Sequence, residues 1–78
     1  MKTKLLRKLR KKASKQITNK CYLEGEHIWF TVADKNGSES KRYFKLKEAR
    51  EALQLWRRAY VLYLLMIIRY KGKNYEII

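Results

Sequence analysis

The first apolar pattern along the chain repeats at the spacing of a helix. In the segment KLLRKLRKKASKQI, Leu5, Leu9, Ala13 and Ile17 recur at four-residue intervals, and Leu6 falls in the same arc at about 100° per residue. This pattern predicts an amphipathic helix over residues 1–18, with its leucine stripe docked on a sheet. The rest of the helix surface is basic and carries Lys4, Arg7, Lys8, Arg10, Lys11, Lys12 and Lys15.

From residue 20 the pattern changes to that of β-strands, and we predict a sheet within residues 20–46. Residues 28–32 are β-branched or aromatic, and Asn36-Gly37 is a strong signal for a two-residue hairpin turn. Residues 41–46 are therefore predicted to return as the second strand. A short third strand over residues 20–23, turning at Gly25, is left open.

The predicted turn also predicts the pairing of the strands. If Asn36-Gly37 forms a type I′ turn, Lys35 faces Ser38, and counting outward places Phe30 opposite Tyr43.

Both faces of this sheet are apolar. One face carries Trp29 beside Phe44, and the other carries Val32 and Tyr43, so we expect one helix on each face. The aromatic side chains that we interpret as core packing are Trp29, Phe44, Trp56 and Tyr63.

The pattern becomes helical again over residues 47–70. Up to Arg58 this is an ordinary helix with one apolar stripe, but beyond Tyr60 it is apolar on all sides. We expect the additional apolar face to be covered, either by a second copy of the chain in a two-fold dimer or by the tail, residues 71–78. The predicted interface residues are Val61, Leu62, Leu65 and Ile68.

These elements predict a small α+β fold in a single domain, residues 1–78, in the order helix, hairpin, helix. A chain of 78 residues buries a modest core, and its stability is correspondingly marginal.

The charge of the chain points to a polyanionic partner. Lys and Arg number 20 against 7 Asp and Glu, a formal net charge of +13, and residues 1–20 contain no acidic residue. We expect the N-terminal basic face to bind nucleic acid, in preference to a membrane surface, because its apolar stripe is narrow and contains no Trp or Phe. A second basic group, Lys41, Arg42 and Lys45, is either a further contact or a charged sheet edge.

The sequence contains little that could support catalysis. Cys21 and His27 are the only cysteine and histidine, so we predict no disulfide, metal site, cofactor or enzymatic activity. Cys21 is interpreted as a semi-buried apolar residue, and a reducing cytoplasm as the setting. The longest apolar run, residues 59–68, is shorter than a membrane span, and we expect no secretory signal.

Residues 27–56 contain a set of motifs with a family resemblance. The set is Trp29, Asp34, Asn36-Gly37, Lys41-Arg42, Phe44-Lys45 and the tripeptide KEA opening a helix. It resembles the N-terminal arm-type DNA-binding domain of tyrosine recombinases and phage integrases. The resemblance implies a three-stranded sheet that packs on one helix and presents its other face to the DNA major groove, with Lys41, Tyr43 and Lys45 at the contact. This chain departs from the pattern in having Leu46 where a helix-capping Thr is usual, and a basic helix before the sheet.

Together these features predict a small non-enzymatic protein that binds the phosphate backbone of DNA or RNA, or that associates with nucleoprotein. The alternative is a structural or regulatory interaction module, of viral or mobile-element type, that oligomerises through its apolar C-terminal helix.

Overall fold

A computed structural model describes residues 3–72 of the chain. Helix α1 (Thr3–Gln16) is followed by strand β1 (Ile17–Glu24), strand β2 (His27–Asp34) and the long helix α2 (Leu46–Gly72). The predicted α+β class, with a helix at each end of an antiparallel hairpin, is confirmed. The predicted tail, residues 71–78, overlaps α2, which ends at Gly72, and its residues 73–78 lie outside the described residues.

The hairpin forms between β1 and β2, so the strand that the sequence left open is present and longer than expected. The two strands pair antiparallel from Ile17 opposite Asp34 to Glu24 opposite His27. Gly25, at φ +60°, begins the two-residue connection, where a left-handed backbone is favourable for glycine.

The predicted strand over residues 41–46 is not regular. Its segment touches β2 at two isolated bridges, Ala33 with Glu39 and Phe30 with Tyr43. The predicted pairing of Phe30 with Tyr43 is confirmed, and the two residues exchange backbone hydrogen bonds of 2.8 and 2.7 Å.

The loop before this segment has three residues, 35–37, and not the two that were predicted. The Gly37 amide donates to the Asp34 carbonyl at 2.9 Å, and the Asp34 amide donates to the Ser38 carbonyl at 2.8 Å. Gly37 takes φ +103°, so it supplies the left-handed position that ends a three-residue loop. Ser38 therefore pairs with Asp34, and the expected pairing with Lys35 is wrong.

A bulge interrupts the strand that should have followed. Val32 contacts Ser40, and Phe30 contacts Tyr43. Only Thr31 lies between the two contacts on β2, whereas both Lys41 and Arg42 lie between them on the segment, which therefore contains one extra residue. The Ser40 hydroxyl accepts the Val32 amide at 2.8 Å and so replaces the missing carbonyl. The bulge explains why residues 41–46 do not form a ladder.

The first half of α2 packs on one face of the sheet. Ile17, Val32 and Ala52 form the buried centre, and the side chains packed against them are Tyr43, Leu53, Trp56 and Tyr60. Asn19 joins sheet to helix, because its side-chain amide donates to the carbonyls of Ala49 and Thr31, each at 3.2 Å.

Helix α1 does not cover the second sheet face, and the expectation of one helix on each face is wrong. It packs along the middle of α2 instead, between Gln54 and Leu65, and the molecule is elongated, 53 × 28 × 15 Å. The reason is the connection: Gln16 ends α1 and Ile17 begins β1, leaving no loop to reverse the chain. The helix also ends at Gln16, two residues before the predicted end, and Ile17 contributes to the core from a strand.

Candidate nucleic-acid interface

The basic face of α1 is exposed along its whole length. Leu9 and Ala13 are buried, and the basic side chains project from the rest of the helix surface. Within the described residues, none of them forms an ion pair. The exposed cations of this face, which we call the α1 basic face, are Lys4, Arg7, Lys8, Arg10, Lys11, Lys12 and Lys15.

Hydrogen bonds at the C-terminal end of α1 hold this face in place. Arg57, on α2, donates from Nε to the Ile17 carbonyl at 2.9 Å and from Nη2 to the Ser14 carbonyl at 3.3 Å. Lys35 donates its amide to the Gln16 carbonyl at 3.1 Å. Carbonyl groups in the last turn of a helix have no partner within the helix and carry partial negative charge, so a guanidinium there is favourable.

Two arginines of α2 adjoin the α1 basic face, although the helical pattern did not assign them to it. Arg57 and Arg58 line a groove between the helices together with Arg10. Arg57 is half-buried and occupied with carbonyl groups, whereas Arg58 is exposed. Their position could not be found from the sequence alone, because it depends on where α1 docks.

The second basic group, Lys41, Arg42 and Lys45, is also exposed, but the structure does not join it to the α1 basic face. The segment that carries it is bonded to the middle of β2 at Phe30. Helix α1 instead runs into β1 at Ile17, which pairs with Asp34 at the C-terminal end of β2, and Arg57 binds α1 there. The two basic groups therefore belong to different parts of the surface.

Aromatic rings stand on the sheet face that carries no helix. Trp29 lies opposite Tyr22 and stacks on it, with ring centroids 5.7 Å apart, and the Arg42 guanidinium lies 4.3 Å from the indole centroid. Since Tyr22 belongs to β1 and Arg42 to the segment on the other edge of β2, the indole lies between them. A nucleic-acid base would have to displace one of these neighbours in order to stack on Trp29.

The same sheet face is also partly neutralised by an acidic residue. Glu39 accepts a hydrogen bond from the Tyr22 hydroxyl and lies 3.7 Å from the Lys20 ammonium. The hydrogen bond to this carboxylate raises the pKa of the Tyr22 phenol above its usual range, so the phenol stays neutral. This face is thus less favourable to phosphate than the α1 basic face.

Several aromatic residues lie in places other than those predicted. Tyr43 is half-buried against the core, on the α2 side of the sheet, and not at the contact surface that the recombinase resemblance implies. Phe44 and Tyr63, expected in the core, are 65% and 57% exposed. Trp56 does pack against the core, while Trp29 pairs with Tyr22 and not with Phe44.

Cys21 is exposed, and its predicted partial burial is wrong. It lies on the same side of the sheet as Asn19, but the first turn of α2 reaches only as far as Asn19. Residues closer to the hairpin tip, such as Leu23, therefore extend beyond the helix. His27 begins β2 and is exposed, as expected for a polar strand end.

The predicted interface residues of α2 are divided by the docking of α1. Val61 and Leu65 are half-buried and line the groove beside Leu6, so α1 provides part of the expected cover within the chain. Leu62 and Ile68 remain exposed.

Neither described helix combines the length and the apolarity needed to cross a bilayer. Among residues 3–72, no three carboxylate, imidazole or thiol groups come together as a metal site would require. Comparisons with protein-family models, with curated proteins and with solved structures found no match to this chain.

Proposed function

We propose that this chain is a small non-enzymatic nucleic-acid-binding protein that holds the phosphate backbone on the α1 basic face. The observation that carries the proposal is a continuous set of seven exposed cations on a fourteen-residue helix that contains no acidic residue. Lys and Arg contacts to phosphates release condensed counterions, which supplies affinity that is largely independent of base sequence.

The packing of α1 favours nucleic acid over a membrane surface. A helix that binds in the plane of a membrane inserts its apolar face into lipid. In this fold Leu9 and Ala13 are buried, and α1 is held to α2 by Arg57. The apolar stripe is therefore already occupied, and the basic face is what remains available.

Binding to labelled duplex DNA, single-stranded DNA and RNA, measured by fluorescence anisotropy at several salt concentrations, tests the proposal. Replacing four cations of the α1 basic face with Gln should weaken binding and flatten its salt dependence. The slope of log K against log salt should fall by about 0.9 for each duplex phosphate that the variant no longer neutralises. The four substitutions are Lys8→Gln, Lys11→Gln, Lys12→Gln and Lys15→Gln.

A second variant with the same change in net charge provides the matched control. It replaces four exposed lysines outside α1 with Gln: Lys35, Lys41, Lys45 and Lys47. A smaller reduction of affinity and slope in this variant supports the proposed site. Equal reductions in the two variants would show that binding is not confined to the α1 basic face, because either net charge or the second basic group contributes as much. No binding to any of the three nucleic acids would overturn the proposed function.

A further inference from the structure

The outer side of α2 carries an apolar stripe that neither the sheet nor α1 covers. Its residues, Leu55, Ala59, Leu62 and Met66, alternate in steps of four and three, which places them on one narrow arc of the helix. Leu55, Leu62 and Met66 are 62%, 60% and 59% exposed, and Ala59 is exposed as well. We call these four residues the outer stripe.

Charged residues flank the outer stripe with opposite signs at its two ends. Glu48 and Glu51 precede it on the same side of α2, and Arg69 follows it. All three are exposed, and Glu51 and Arg69 are about 27 Å apart at the rise of an α-helix. The outer side of α2 therefore changes along its length from acidic to apolar to basic, and Arg58 lies at the edge of its apolar part, toward α1.

We propose that the outer stripe is the interface of a two-fold dimer, in which α2 of one chain pairs antiparallel with α2 of a second copy. A two-fold axis near residues 60 and 61 places Leu55 against Met66 of the second copy, and Ala59 against its Leu62. The same register places Glu51 beside Arg69 of the second copy. Each apolar layer thus meets an apolar layer, and each acidic end meets a basic end.

Charge complementarity favours a second copy of the chain as the partner, and an antiparallel arrangement of the two α2 helices. A parallel pair would bring the acidic ends together, whereas the antiparallel pair satisfies both ends with residues that the chain itself supplies. Ala59 at the centre allows the helices a close approach. A shallow hollow between the outer stripe and the turn after β2, lined by Leu55, Ala59, Tyr63 and Asn36, lies where Met66 of the second copy would enter.

This interface does not depend on the proposed nucleic-acid binding, because it uses no residue of the α1 basic face. It differs from the interface predicted from the sequence, since Val61 and Leu65 are half-buried against α1. Leu62, which lies at the edge of the same groove but is 60% exposed, is the one residue that both interfaces share. The second copy of the chain would cover the outer side of α2 that the single chain leaves exposed.

Sedimentation equilibrium of the full chain over a range of concentrations tests the dimer. The chain should sediment as a dimer at high concentration, and Leu62→Gln with Met66→Gln should raise the dimer dissociation constant by about tenfold or more. Both side chains are exposed in the single chain, so the variant should stay folded, which circular dichroism verifies. The matched control is Leu23→Gln with Ile28→Gln, two exposed apolar residues near the hairpin tip, and it should leave the constant unchanged.

Charge exchange tests the antiparallel register. Glu51→Arg alone and Arg69→Glu alone should each weaken the dimer, and the two substitutions together should restore it. A chain that stays monomeric up to its solubility limit would overturn the proposal. So would a dimer that tolerates the two Gln substitutions in the outer stripe, and failure of the double exchange to restore association would overturn the register.

Discussion

Arg57 shows how a single side chain can connect two elements. Its side chain extends from the middle of α2 and donates hydrogen bonds to the carbonyls of Ser14 and Ile17, where α1 ends and β1 begins. Its neighbour Arg58 has the same charge but is exposed beside the groove. The two residues are of the same type and adjacent in sequence, yet Arg57 stabilises the fold whereas Arg58 adds to the cationic surface.

Replacing Arg57 with Met should destabilise the protein. Hydrogen bonds from a charged donor contribute about 1.5 to 3 kcal/mol, and removal of the guanidinium leaves the end of α1 without its partner. Urea denaturation followed by circular dichroism measures the change in the free energy of unfolding. Arg58→Met, at an exposed position, should stay within about 0.5 kcal/mol of the parent protein. Equal effects of the two substitutions would contradict the assigned role of Arg57.

At the scale of the element, α1 depends on the molecule around it. Like charges four residues apart repel along its basic face, as in Lys4 with Lys8 and Lys11 with Lys15, and each pair is unfavourable by a few tenths of a kcal/mol. Only Leu9 and Ala13 are fully buried. Helix α2, by contrast, packs on both the sheet and α1, so we expect α1 to open more readily than α2.

Hydrogen exchange of the backbone amides should show this difference directly. Without a partner, amides in residues 7–16 should exchange faster than those in residues 50–62. Nucleic acid should slow exchange most strongly in α1, because phosphates neutralise the repulsion along its basic face. Protection that appears around residues 41–45 while α1 is unchanged would assign the contact to the second basic group.

At the scale of the whole molecule, a net charge of +13 acts in opposite directions on the two proposed associations. Nucleic-acid binding gains from the charge, whereas two copies of the chain repel each other. Salt screens both interactions, since the Debye length falls from about 10 Å at 0.1 M to about 3 Å at 1 M.

Raising the salt concentration should therefore weaken nucleic-acid binding and strengthen the dimer. The exposed pairs of Glu51 with Arg69 contribute about 0 to 1 kcal/mol each, so their screening should not reverse the second effect. Anisotropy and sedimentation at matched salt concentrations measure the two constants. A dimer that weakens with salt as steeply as nucleic-acid binding does would show that its interface is ionic and not the apolar outer stripe.

The register of the sheet was only partly predictable from local residues. The strong Asn36-Gly37 signal produced a turn, and Phe30 does pair with Tyr43. The regular hairpin forms at Gly25, however, because β1 and β2 pair without interruption, whereas a bulge at Ser40 breaks the ladder on the other edge of β2. A turn signal indicates where the chain reverses but does not determine how far the following residues remain paired.

Local patterns of residues predict the periodic elements and the charge: two helices, an extended region between them, and a basic face on the first helix. These follow from the spacing of apolar residues, which acts over a few turns or a few strand positions. The packing of one apolar face against another, by contrast, follows from the fold as a whole. Because α1 runs into β1 without a loop and α2 is longer than the sheet, α1 packs along the middle of α2 and leaves the outer stripe exposed. That outcome depends on the lengths and connections of whole elements, which no local pattern contains.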